Sequence, residues 1–143
     1  MSSDNIENGG IKAYLQNNFP ALIFHYFLTV FAMLMVLFTN QLQMVFFGVL
    51  IAYVLFGFAL KNQGTLLKNS LTVSLVFIIN LIMYTLVPLA VSEALMFYSL
   101  PYLYLALING QLIFLAIILP SICMLIGLYV KISIIKLTNK NEA

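Results

Sequence analysis

The sequence predicts an all-α fold with lipid as its solvent. The expected architecture is a polytopic membrane bundle of four transmembrane helices, with an interfacial or re-entrant helical segment between the third and the fourth. Three observations lead there. First, the 143-residue chain is 64% hydrophobic and 7% charged, with a mean hydropathy of +1.10. Soluble domains are about 45–50% apolar and about 25% charged, and small domains bury the smallest share of their surface. Second, four stretches approach the length of about 20 apolar residues that a helix needs to cross a bilayer. Third, threading the chain through those four stretches places every lysine on one side.

The elements follow in order. The first span, 21–39 ("ALIFHYFLTVFAMLMVLFT"), comes directly after Pro20, a residue suited to the first position of a helix. Ahead of it, Ile11, Tyr14, Leu15 and Phe19 recur at helical spacing, as in a short amphipathic turn resting on a membrane surface, although a frayed tail is an equal expectation. The opening "MSSDNIENGG" carries two acids and no basic cluster, unlike a cleavable export signal. "NQLQ" (40–43) is a tight polar connection, so the first span and the second, 44–60, should form an antiparallel hairpin. The polar loop 61–70 carries Lys61 and Lys68, and the third span covers 71–91. The stretch 92–110 is long and rich in tyrosine, which is the composition of an interfacial belt. The fourth span, 111–130, continues as helix toward 137, with a kink expected at Pro120 and Ser121 placed to satisfy the backbone that proline frees.

Charge chooses between four spans and five. With four, the N-terminus, the 61–70 loop and the C-terminus share a side that holds Lys12, Lys61, Lys68, Lys131, Lys136 and Lys140. By the positive-inside rule that side is cytoplasmic. Forcing 89–108 into a fifth span would place Glu93 and Pro101 within it and destroy the asymmetry. The composition, rich in Lys, Ile and Asn and lacking Arg, is typical of AT-rich bacterial genomes, so the expected location is a bacterial cytoplasmic membrane with both termini inside.

Few residues could carry chemistry. Asn80 lies near the centre of the third span, with Tyr84 one turn later and Pro88 on the same face. A midplane amide either contacts a ligand or joins helices through a hydrogen bond worth about 0.6–2 kcal/mol, and the second role is the expected one. His25 stands about one turn into the first span, beside Thr29. Its ring could shuttle a proton, but a single His without a nearby acid or second His does not make a metal site. Asn80, Tyr84, His25, Thr29 and Ser121 therefore form the candidate intramembrane polar set. Glu93, Tyr98, Tyr102 and Tyr104 form a candidate outer-surface recognition set, with Glu93 also suited to the first turn of a helix that Ser92 caps. Gly48 and Ala52, Ser70 and Ser74, and Cys123 and Gly127 are small pairs spaced four apart, a spacing that lets helices approach closely.

The remaining patterns exclude function classes. No span contains a deep carboxylate, the usual mark of proton or cation coupling. No catalytic, phosphate-binding or metal-binding motif is present, so neither an enzyme nor a cofactor is expected. A net charge of +2 without a basic face gives no nucleic-acid footprint. One cysteine, Cys123, permits no intrachain disulfide. The expected partners are the lipid bilayer and another membrane protein or a second copy of the chain. The leading expectation is an accessory or stabilising subunit of a larger membrane complex, such as a transporter or envelope-synthesis machinery. The alternatives are a homo-oligomeric channel or carrier for a neutral or lipidic solute and, third, an immunity or resistance protein.

Overall fold

The computed structural model describes residues 3–90 and 100–141, and their side chains over 14–85 and 101–139. All regular elements among the described residues are helical. They are α1 (Ser3–Thr39), α2 (Leu42–Gly57), α3 (Leu66–Leu71), α4 (Ser74–Ala90), a 3₁₀ turn at Leu100–Tyr102, α5 (Leu103–Ile108), a 3₁₀ helix at Gly110–Ile117 and α6 (Leu119–Asn141).

α1 runs without interruption through Pro20, so the expected separate turn over 11–19 is instead part of one helix. Its inward stripe is Asn17, Asn18, Ala21, His25, Leu28, Thr29, Ala32 and Val36, recurring every three or four residues as a one-faced helix requires. The helix stops at Asn40, which takes a positive φ of 53° and returns its N–H to the Val36 carbonyl at 2.9 Å. That is the left-handed cap at which asparagine is a common substitute for glycine. The chain reverses there into α2, giving the expected hairpin.

α2 and α6 make the most extensive helix pair, and two glycines permit it. A Cβ on Gly57 would strike the Met124 carbonyl oxygen and the Gly127 Cα, and one on Gly127 would strike the Val54 carbonyl oxygen and the Gly57 Cα. The close pair is therefore Gly57 with Gly127. Gly48, from one of the small pairs singled out in the sequence, has nothing within 4 Å of an added Cβ.

Two expected regions are built differently. The expected polar loop 61–70 ends in a short helix, α3, which stops at Leu71, and the third span is α4, beginning at Ser74 after a break at Thr72 and Val73. The fourth opens as 3₁₀ helix and becomes α-helical only at Leu119. Pro120 thus lies in the first turn of α6, where its missing N–H breaks no ladder, and the expected mid-helix kink is replaced by this change of helix type. Between them, α5 and the 3₁₀ helix Gly110–Ile117 pack on each other across Asn109, forming a helical hairpin that also contacts α2 and α4.

Tyr14–Thr39 and Leu119–Asn139 are each long and apolar enough to cross a membrane, while Leu42–Gly57 and Ser74–Thr85 are apolar but shorter. The outward faces are strongly apolar: Phe27 is 69% exposed and Phe38 85%.

Candidate functional site

Four elements bring polar side chains to one point in the interior. His25 of α1 hydrogen-bonds the Tyr53 hydroxyl of α2 through Nδ1 at 2.6 Å. Tyr102, from the 3₁₀ turn before α5, donates its hydroxyl to the same Tyr53 oxygen at 3.4 Å. Asn80 of α4 hydrogen-bonds the His25 side chain. Thr29 donates to the His25 carbonyl at 2.8 Å, which sets its hydroxyl beside the same group. All five residues are buried. Tyr84, one turn after Asn80, packs against the same core.

The surroundings hold this group in place. The rings of His25 and Tyr53 lie 5.9 Å apart at 29°, and Phe24 meets Tyr53 edge-on at 5.9 Å while stacking on Phe56 at 4.2 Å. Buried polar atoms in a low-dielectric interior are costly unless each meets a partner. Here the imidazole of His25 and the hydroxyls of Tyr53 and Tyr102 serve one another. An amide offers both an acceptor and a donor, so Asn80 can match either tautomer of a neutral His25. Among the described residues no three His, Cys, Asp or Glu side chains gather as a metal site would require.

The structure thus joins His25, Thr29 and Asn80 from the predicted polar set, and adds Tyr53, which nothing in its local sequence distinguishes among eight tyrosines. Asn80, expected to join helices, lies against His25 of α1. Ser121 lies apart, donating to the Val73 carbonyl at 3.3 Å, an oxygen that also accepts the Phe77 N–H of α4 at 3.4 Å. Its expected role beside Pro120 is replaced by this interhelical bond. Tyr102, expected at an outer recognition surface, is 1% exposed and belongs to the core. Tyr104 is half-buried, with its ring 5.5 Å from that of Phe46 and 6.1 Å from that of Phe47. Glu93 and Tyr98 lie outside the described residues.

A second polar layer lies two turns before His25. Asn17 donates to the Lys61 carbonyl at 2.7 Å and accepts from the Lys61 N–H at 3.0 Å. Asn18 donates to the Leu71 carbonyl at 2.6 Å and accepts from the Leu75 N–H at 3.0 Å. One asparagine secures the chain beyond α2, and the other bridges the break between α3 and α4. Tyr14 joins through its hydroxyl, 2.8 Å from the Ser74 Oγ.

Tyr53 is the hub, so its hydroxyl should couple energetically to the imidazole. A double-mutant cycle of Tyr53→Phe with His25→Leu, read by reversible unfolding in detergent, is expected to give about 0.6–2 kcal/mol of coupling. Strict additivity would show that the 2.6 Å contact contributes nothing.

No protein-family model matches the chain, and neither a curated protein nor a solved structure matches it significantly.

Proposed function

We propose that the chain is a small multi-pass protein of a bacterial cytoplasmic membrane, with both termini cytoplasmic, that serves as a non-enzymatic accessory subunit of a larger membrane complex. One observation carries this reading. At the centre of the bundle His25, Tyr53 and Tyr102 bond to one another and Thr29 to backbone, whereas the outward faces are apolar. Such an arrangement places polar chemistry in the service of the fold and leaves a lipid-facing exterior for contact with other helices. A groove of about 270 Å³ between α1 and α2, lined in part by Ala32, Gly48 and Ala52, provides the small residues that helix association in membranes favours.

Native mass determination of the tagged protein, extracted gently from its own membrane, tests this. A stoichiometric membrane-protein partner is expected, and Gly48→Leu, whose Cβ meets nothing within 4 Å and whose longer side chain enters the groove, should lose that partner while keeping the wild-type unfolding midpoint. A partner retained at full occupancy by the leucine variant would remove the groove from the reading. A homo-oligomer without a partner would favour the second reading, a channel or carrier for a neutral or lipidic solute, to which the same laterally placed apolar groove lends support.

A further inference from the structure

The charged side chains described within 14–85 and 101–139 are Lys61, Lys68, Lys131 and Lys136, with no acid among them. Lys61 lies in the loop between α2 and α3, Lys68 in the short helix α3 that the loop leads into, and Lys131 of α6 reaches the start of the same loop, donating Nζ to the Leu60 carbonyl at 2.9 Å. The loop is internally tied. Asn69 accepts from the Gln63 N–H at 2.7 Å and donates to Asn62 Oδ1 at 3.1 Å, Gly64 turns the chain at a φ of +87°, and Thr65 caps α3 by accepting from the Lys68 N–H at 3.3 Å. The inward hold on Asn69 and Thr72 leaves Leu66 73% and Leu67 70% exposed, directly beside the exposed Lys68.

We propose that this loop, with Lys131 against it, is a docking surface for anionic phospholipid. The ammonium groups take the phosphodiester oxygens of the headgroup, and Leu66 and Leu67 enter the acyl region beside it. The inference rests on the membrane reading above and is independent of any protein partner. Charge complementarity points to an anion, because the patch is cationic with no described acid to neutralise it. The leucines decide the source of that anion: a soluble phosphate would leave two exposed leucines in water, whereas a lipid covers them while its headgroup meets the lysines. Basic residues beside exposed apolar ones are the general form of interfacial attachment.

Native mass spectrometry of the full chain in mixed phosphatidylglycerol and phosphatidylcholine tests this. The wild-type protein is expected to retain phosphatidylglycerol in preference. Each lysine contributes about fivefold, so the Lys61→Gln/Lys68→Gln variant should lose about 25-fold of the preference, while Lys61→Arg/Lys68→Arg keeps it. Lys131 is left unchanged because it also holds the Leu60 carbonyl. Leu66→Asn/Leu67→Asn should retain less phosphatidylglycerol at unchanged lysine content. Equal retention of the two lipids, or a glutamine variant with wild-type preference, overturns the proposal. Displacement of the bound lipid by inorganic phosphate at equal concentration also overturns it, since the site would then serve a soluble anion. Partner protein and bound lipid are separate mass increments in one spectrum, so failure of the subunit reading is distinguishable from failure of this one.

Discussion

Gly127→Ala is expected to destabilise the bundle by about 3 kcal/mol, while Gly48→Ala stabilises it by about 0.5–1 kcal/mol. The two substitutions add the same methyl group to helix interiors and should differ in sign. At Gly127 the added Cβ strikes the Val54 carbonyl oxygen and the Gly57 Cα. Those are backbone atoms, so α2 and α6 must separate along their whole contact to admit it. At Gly48 the methyl meets nothing within 4 Å, and only the helix preference for alanine over glycine remains. Reversible unfolding of both variants in the same detergent measures the difference. Equal shifts for the two would mean that the glycine crossing does not hold α2 to α6.

Asn18→Ala should destabilise by about 2 kcal/mol, because the damage falls on other residues' backbone. The asparagine is fully buried and serves the Leu71 carbonyl and the Leu75 N–H at the break between α3 and α4. Removing its amide takes the side-chain acceptor from the Leu75 N–H, at about 1–3 kcal/mol for a buried group, while the Leu71 carbonyl keeps the Ser74 hydroxyl at 2.9 Å. Asn17→Ala should cost less than half as much. Its partner Lys61 is exposed, so water or a headgroup can replace the lost bonds. Hydrogen exchange distinguishes this mechanism from a general loosening: the Leu75 amide should lose protection first and most in Asn18→Ala. Unchanged protection at Leu75 would assign the instability to some other contact.

The sequence makes much of this architecture legible, and the failures have physical causes. Apolar runs locate the helices because a membrane-crossing helix must satisfy its backbone internally and face lipid with its side chains. The α1–α2 hairpin is legible for a similarly local reason, since Asn40 supplies its own turn chemistry. Pairing information is absent from a single chain. Asn17 and Asn18 resemble any polar pair ahead of a span, because their partners lie 44 and 53 residues away. Tyr53 is one aromatic among many until His25 and Tyr102 are found on its hydroxyl. Gly57 sits at the end of its helix, where glycine usually signals termination and a close crossing is easily overlooked. Proline misled in both directions: Pro20 is absorbed within α1, and Pro120 opens α6 instead of bending it.

The asparagine bridge also constrains the order of assembly. During synthesis α1 emerges first, and Asn18 is made long before Leu71 and Leu75. Until then its amide must bond to water or to another partner, because apolar surroundings offer it neither donor nor acceptor. The bond from Ser121 to the Val73 carbonyl, 48 residues apart, closes later still. The first helix is therefore incomplete on its own. Its polar face is satisfied only when the second half of the chain arrives to close around it.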